Sequence, residues 1–521
     1  MEPEFNRRLA ILLAMAMFVL VVDTSLMNVS ISAVVTDIDA TVSGVQSAIA
    51  LEALVSAAFI LIGGKVADLI GRKLAYTLGL CAYGIGALSM TLAQSIVPVI
   101  VFWAVVGGIG AALLLPGMQA LIHGNFEGAA QKRVYALVGA SAAIAAAVGP
   151  LIGGFLTTAL SWRVGFLLEA LIIVVVLSGL GLVKDVPYHG PRQIDLVGAI
   201  LSVLGMGGLV LGILVWQEGG EAVGALIAVG LVGLGSLAYW LVRRKREGRA
   251  VLVDPALFAS QHFRLGISGQ MMQQIALGGA MITLPIYLQM VLEYNALEAG
   301  LSLAPLSLSM FAVSMLAGRR AADRRPPSII RWGFVLLIVG IVGVLVVVPR
   351  ADSGWALVPA LAVTGSGLGL LVSQLNNYTL APIEEERVSE AAAVNSAAGS
   401  FGLSFGLAFA GAIMLASLAY LFTAMADDSA VLPPADKEQV SQALEDDAEV
   451  MSNTHLEQQL ADEPPDVQDE VIRINTDARP RALQIGLLVP LAAALVGLVL
   501  SFRMVRLPDL EPKSSAEGLE L

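Results

Sequence analysis

From Leu9 to Phe502 the chain is a succession of apolar runs separated by short polar turns. Coiled at about 1.5 Å per residue, a run of roughly 18 to 25 residues covers the ~30 Å hydrocarbon core of a bilayer. In lipid a span must satisfy its own backbone hydrogen bonds, which leaves helices as the reading for runs of this length. The pattern predicts fourteen of them, at 9–31, 43–63, 74–92, 97–123, 134–159, 164–183, 196–216, 223–242, 265–291, 298–317, 332–348, 355–381, 392–423 and 483–502. One polar interruption, 425–482, is too long for a turn and too polar for a span. It offers a helix start from Pro434 to Asp436 and proline pairs as breakers, so one or two amphipathic helices are expected there outside the membrane.

Composition and charge agree with this pattern. The 521 residues are 57% hydrophobic and only 14% charged, against roughly 25% charged in ordinary soluble domains, which excludes a soluble enzyme or binding module. With the N-terminus in the cytoplasm, 24 of the 30 Lys and Arg residues fall on the inner side. Only Arg163, Arg350, Lys437, Arg473, Arg479 and Arg481 fall outside. That bias supports both the even number of spans and the hand: a multi-pass protein of the bacterial inner (plasma) membrane, both termini cytoplasmic. The first run is too long for a signal core, and no small-residue cleavage site follows it, so it is expected to remain as a helix. The one cysteine, Cys81, excludes a disulfide within the chain. The net charge of −12 is localised: residues 425–482 carry fifteen Asp or Glu against four Lys or Arg.

The loops divide the chain into a six-helix bundle at 1–183, a two-helix insert with cytoplasmic linker at 184–250, helices 9–13 of a second bundle at 251–424, the acidic extracytoplasmic loop at 425–482, and the last helix with its tail at 483–521. A faint repeat supports the two halves. GGKVADLIGRK follows the second helix and AGRRAADRRPP the tenth, each a basic turn holding an aspartate, Asp68 or Asp323. Two bundles facing each other across a cavity are expected of a transporter with internal repeats.

Several motifs point the same way. In GGKVADLIGRK, Gly64 and Gly71 would permit close approach and tight turning, while Asp68 could accept bonds from Arg72 or from a neighbouring helix N-terminus, with Lys73 beside it. Such a bond, made in one state and broken in another, is a latch. In AAAVGPLIGGFL, Pro150 removes a helix bond, and Gly149, Gly153 and Gly154 admit a partner helix at short range. With LPIYLQMVLEYNALEAGLSLAP at 284–305 and the Asp23, Thr24 and Asn28 of VVDTSLMNV, these stretches resemble the major facilitator superfamily, specifically its fourteen-helix drug:proton antiporter branch. The resemblance implies an all-α membrane fold of two six-helix bundles plus two inserted helices. It also implies a gating loop at Gly64, Asp68, Gly71, Arg72 and Lys73, and an antiporter motif at Gly149, Pro150, Gly153 and Gly154.

The chain departs from that branch where protons are handled. An arginine is usual in the fourth helix, and Ala104 and Gly107 occupy the corresponding stretch here. Glu169 stands where an asparagine is common. Two carboxylates, Asp23 in the first helix and Glu52 in the second, fall at similar depth about 20 Å from the inner charge line. A carboxylate in mid-membrane costs about 2.5–3.5 kcal/mol on insertion scales and is functional by default. Asp23 and Glu52 are therefore expected to share a hydrated proton and cation site. Asn28, Tyr287, Gln289, Gln374, Asn376, Asn377 and Asn395 are the polar candidates for a substrate cavity.

These features predict a secondary active transporter, not an enzyme, that exports amphipathic, chiefly cationic drugs or toxic compounds by proton antiport. No Walker loop supplies ATP energy and the four histidines have no metal spacing, so no cofactor and no metal are expected. The expected partners are the small substrate, protons and the lipid bilayer, with no nucleic acid, and the chain is expected to act as a monomer. Two other readings stay open: an exporter or flippase of a lipid or self-made natural product, and a non-transporting membrane scaffold or sensor acting through 425–482.

Overall fold

The computed structural model describes residues 6–126, 128–185, 195–217, 220–320, 325–351, 353–383, 387–432, 460 and 464–508. Among them, fourteen helices are long and apolar enough to cross a bilayer. They are α1 (Arg7–Val29), α2 (Val42–Ile70), α3 (Arg72–Leu92), α4 (Ile96–Ile122), α5 (Arg133–Ala159), α6 (Trp162–Leu182), α7 (Leu196–Trp216), α8 (Val223–Arg246), α9 (Gln261–Val291), α10 (Ala296–Ala317), α11 (Pro326–Arg350), α12 (Gly354–Leu380), α13 (Glu390–Asp428) and α14 (Pro465–Arg506). The fold is all-α, as the hydropathy pattern requires.

Helices α1–α6 form one bundle and α9–α14 the other. The bundles meet along two lines, α2 against α13 and α5 against α10. The inserted α7 and α8 pack mainly on each other, with α7 lying on both α2 and α13. Asp195, buried just before α7, holds this insert in place. Its carboxylate accepts from the Gly198 amide (3.0 Å), the Trp240 indole (2.9 Å) and the Leu252 amide (3.4 Å), and lies 3.7 Å from Arg244.

The two faces of the molecule are unlike. On the face opposite the chain termini, the Ser32 amide donates to Gln289 Oε1 and the Leu297 amide to Thr158 Oγ1, both at 3.0 Å, tying the bundles together. Deeper, the Ser404 hydroxyl donates to the Ala50 carbonyl at 2.6 Å. On the face that carries Arg7 and Arg506, the bundles part around a cavity of about 280 Å³ between α2, α4 and α13.

The far end of the second bundle differs from the expected loop. Helix α13 runs 39 residues to Asp428, about 58 Å at the α-helical rise, nearly twice the hydrocarbon thickness. Helix α14 begins at Pro465 rather than near 483, and its polar first half, Pro465–Gly486, buries Val471, Ile474 and Ala478 in the core that also holds Phe422 and Ala426 of α13. The two ends of 425–482 are thus extensions of the spans. The expected helix start at Pro434–Asp436, like Asp323, lies outside the described residues.

Candidate functional site

Asp23 is 1% exposed and points into the first bundle. The Tyr83 hydroxyl from α3 donates to its carboxylate, and the Trp103 indole N–H from α4 lies 3.0 and 3.1 Å from the two oxygens. Trp103 sits on a π-helical turn, Val99–Gly107, which opens α4 just after Pro98. Such wide turns tend to occur where a side chain must be re-aimed. From α6 comes Glu169, 2% exposed and beside Asp23. Both Glu169 oxygens are buried without a hydrogen-bond partner. Glu52 lies within electrostatic range of Asp23 and Tyr83, and it keeps partial exposure. Gly108 of α4 lets α2 approach at that point: a Cβ there would come within 2.9 Å of the Glu52 carbonyl.

No Lys or Arg occurs in 9–64, 74–131, 134–162 or 164–183, so no buried cation in these spans neutralises the three acids. Two ionised carboxylates 4 Å apart repel by about 4 kcal/mol even at an effective dielectric of 20. One side of the cluster is walled by aromatic rings. Trp103, Phe166 and Trp162 stack edge to face at 6.2 and 6.0 Å. Arg163 caps the stack, 4.5 Å from the Trp162 ring, paired with Asp37 and donating to the Ala93 carbonyl.

The expected hydrated pocket shared by Asp23 and Glu52 therefore takes another form. Asp23 is enclosed by aromatic donors and lies beside Glu169 of α6, with Glu52 of α2 within electrostatic range and partly exposed. Glu169 was visible in the sequence as an acid in the apolar stretch FLLEALI, the criterion that marked Asp23. Tyr83 and Trp103 carried no such signal, because aromatic residues are common in any span.

The gating-loop residues gather at the basic face. Arg72 pairs with Asp68 at 3.5 Å, as expected, and Asp68 lines the 280 Å³ cavity together with Gly64, Lys65 and Arg72. Asp185, in the segment after α6, supplies the helix cap. It accepts from the Lys73 amide at 3.2 Å, while the Lys73 ammonium donates to the Val183 carbonyl at 2.8 Å. Gly71 turns the chain at φ 103°, in the region that favours glycine. Gly64 is not a point of close approach, since a Cβ there would meet only Pro116 at an ordinary 3.8 Å. Its neighbour Gly63 takes that role, lying where a Cβ would be 2.4 Å from the Ala112 carbonyl.

The antiporter motif lies between three helices. A Cβ on Gly149 would strike Ser25 of α1 at 2.6 Å, one on Gly153 would meet Leu26 at 2.9 Å, and one on Gly154 would sit 2.4 Å from the Ala296 carbonyl at the start of α10. The motif thus closes α5 onto its own bundle and onto the opposite one.

The polar cavity candidates do not share one pocket. Asn28 donates to the Thr24 carbonyl at 2.8 Å and leaves Oδ1 buried without a partner, against a small apolar cavity between α1, α5, α9 and α10. Gln289 belongs to the outer seal. The Tyr287 hydroxyl reaches the Val348 carbonyl at 3.3 Å. Asn395 donates to Asn376 Oδ1 at 3.0 Å, joining α13 to α12, where Gln374 is buried and Asn377 exposed.

A family model described as Major Facilitator Superfamily matches residues 13–407. Among curated relatives, the probable actinorhodin transporter of Streptomyces coelicolor is 27% identical, over 82% of this chain and 76% of that one. The puromycin resistance protein pur8 of Streptomyces alboniger is 29% identical, over 81% and 84%. The multidrug resistance protein Stp of Mycobacterium tuberculosis is 26% identical, over 78% and 75%. Among solved structures, a bacterial homologue of the human lysosomal transporter Spinster, inward-facing and unoccupied, aligns with a TM-score of 0.66 at 12% identity, over 97% of this chain and 99% of that one. That likeness establishes the fold.

Proposed function

The chain belongs to the Major Facilitator Superfamily, and on that footing we propose that it exports amphipathic, chiefly cationic drugs or toxic compounds across the bacterial plasma membrane in exchange for protons. The basic face is then cytoplasmic, and the cavity beside Asp68 is the mouth of the inward-open state. The observation that carries this reading is the placement of Asp23 and Glu52 within electrostatic range of each other, in six spans that hold no Lys or Arg at their depth. Buried acids without a resident cation are suited to take up a proton or a cationic substrate in turn. Relatives named for multidrug and puromycin resistance support drug export as the biological task.

The outer seal and the inner opening supply the other half of alternating access. Exchange of one proton for one monovalent cation moves no net charge and draws on the pH gradient alone. A second proton would let the membrane potential contribute about 2.3 kcal/mol per charge per 100 mV.

The test is uptake of a fluorescent amphipathic cation into inverted vesicles with an acidic lumen. Vesicles with the wild-type protein accumulate the dye and lose it on addition of a protonophore; those with Asp23→Asn or Glu52→Gln do not accumulate it. Accumulation that ignores the protonophore, or that survives both substitutions, overturns the reading.

One observation favours a second reading, export of a lipid or self-made natural product. The cavity at Asn28 is walled by Leu277, Met281, Leu284, Leu303 and Leu306, and a relative is named for actinorhodin transport. Uncharged apolar compounds would then compete with the dye while cations of equal size would not.

A further inference from the structure

Glu169 is the one acid of the buried cluster that proton antiport by Asp23 and Glu52 leaves unused. It is 2% exposed, both its oxygens are buried without a hydrogen-bond partner, and the polar group beside it is Asp23, itself a carboxyl. The groups facing the pair from each neighbouring helix are known. Helix α2 contributes Glu52 and α3 contributes Tyr83, while α4 offers the neutral Trp103 indole. Helix α5 has no ionisable side chain between Ala136 and Leu160. No basic group is there to hold two negative charges together.

The pair is also asymmetric. Asp23 accepts from both the Tyr83 hydroxyl and the Trp103 indole, and donors of this kind stabilise a carboxylate. Glu169 has no such donor, so a contact between two groups that are acceptors when ionised becomes a hydrogen bond only if one of them keeps its proton.

We propose that Glu169 and Asp23 hold one proton between them, with Glu169 the carboxylic acid whose O–H donates to the Asp23 carboxylate, making this pair a proton-binding site inside the first bundle. The site's role in transport rests on the antiport reading; its existence does not. The proton sits behind the Trp103, Phe166 and Trp162 stack, and Glu52, the partly exposed acid, is the group through which it exchanges and at which a cationic substrate competes with it. In each step the proton leaves one carboxylic O–H and joins a carboxylate oxygen, so no other reactant is consumed.

The test is infrared difference spectroscopy on the full chain in lipid at neutral pH, in light and heavy water. Wild type shows a protonated-carboxyl C=O band with a deuterium shift. Glu169→Gln loses that band, Glu169→Asp restores one, and Tyr83→Phe moves it by removing a donor from the acceptor side. Should Glu169→Gln fail to fold, Glu169→Asp and Tyr83→Phe carry the test alone, because both must displace the same band. A wild-type protein with no protonated-carboxyl band, or a band unmoved by any of these changes, overturns the proposal. If the band is lost as expected while dye transport ignores the pH gradient, the proton site stands and antiport falls. Proton-driven transport by a protein without the band leaves antiport standing and removes the proton from this pair.

Discussion

Gly300 of α10 lies against the backbone carbonyl of Pro150 in α5, so close that a Cβ on Gly300 would come within 2.3 Å of that oxygen. With Gly154 set against the Ala296 carbonyl, this contact closes the two bundles on the side away from the termini. The glycine-rich stretch of α5 thus supplies the close-packed surface that joins the bundles on that side.

Adding bulk there should prevent closure. Overpacking a tight contact costs about 1–3 kcal/mol, enough to move an equilibrium between inward- and outward-open states by roughly one to two powers of ten. In a Cys81→Ser background, Gly300→Val is expected to slow transport and to raise the rate at which Ser307→Cys, buried beside the inter-bundle cavity, reacts with an impermeant thiol reagent from outside. An unchanged labelling rate would count against a gate at this contact.

The gating loop yields a prediction that the motif alone would have placed elsewhere. Gly71→Ala forces φ 103° on a residue with a Cβ, at a cost of about 1–3 kcal/mol. Gly63→Ala drives a methyl into the Ala112 carbonyl, with a similar loss. Gly64→Ala makes only an ordinary contact with Pro116 and should be neutral or stabilising by up to ~1 kcal/mol, as expected for a helical glycine. Thermal unfolding of the three purified variants orders them, and a Gly64→Ala protein as unstable as Gly63→Ala would contradict the packing described.

Trp103→Phe keeps an aromatic ring in place but deletes the N–H that reaches Asp23, together with part of the buried indole. Hydrogen bonds to a charged group contribute about 1.5–3 kcal/mol. The substitution also leaves a void in either background, so it should cost that much more in the native background than beside Asp23→Asn, and a double-mutant cycle on unfolding midpoints reads the difference. Additive effects would mean that the indole and the carboxylate do not interact.

Much of this was legible from the chain. Fourteen spans follow from hydropathy because lipid removes every alternative to the helix, and Asp23, Glu52 and Glu169 each stand out as acids in apolar runs. Which acids touch was not legible: α1 can turn Asp23 toward α2 or toward α3 and α6, and only the packing of small residues around the helix decides. The same limit separates Gly63 from Gly64, adjacent letters with opposite environments. The start of α14 was missed because Pro465–Gly486 is polar by composition, and it becomes a continuation of the span by laying one apolar edge on α13.

Asp195 makes a stability prediction for the insert. It satisfies three donors and faces Arg244 from a buried position, and removing one partner of a buried charged network costs about 3–5 kcal/mol. Asp195→Ala should therefore loosen α7, α8 and the linker that follows, seen as faster proteolysis between Glu247 and Ser260 with the first bundle still protected. Equal protection in variant and wild type would remove Asp195 as the anchor.

Asp254, in that linker, carries the pH prediction. Its partial burial works to raise the carboxyl above its ordinary 3.8, but hydrogen bonds from the Lys245 ammonium (2.8 Å) and the Ala256 amide (2.9 Å), with Arg387 at 3.1 Å, outweigh this and hold it lower. Lys245 lies in the last turn of α8 and Arg387 precedes α13, while the Asp254 amide donates to Glu390 at the rim of the cavity beside Asp68, so the carboxylate links the insert to the second bundle beside that cavity. A carboxyl depressed in the folded state contributes stability that is fully present above 3.8 and disappears as pH falls through the lower folded value. Hydrogen exchange at the Ala256 amide should therefore be slow and, corrected for intrinsic rates, constant from neutral pH down to that range, and should accelerate only in stronger acid. Asp254→Asn, which cannot hold the charge at any pH, should show faster exchange at neutral pH and lose the acid transition. A variant that keeps the transition would place the titrating group elsewhere, with Glu390 the next to replace.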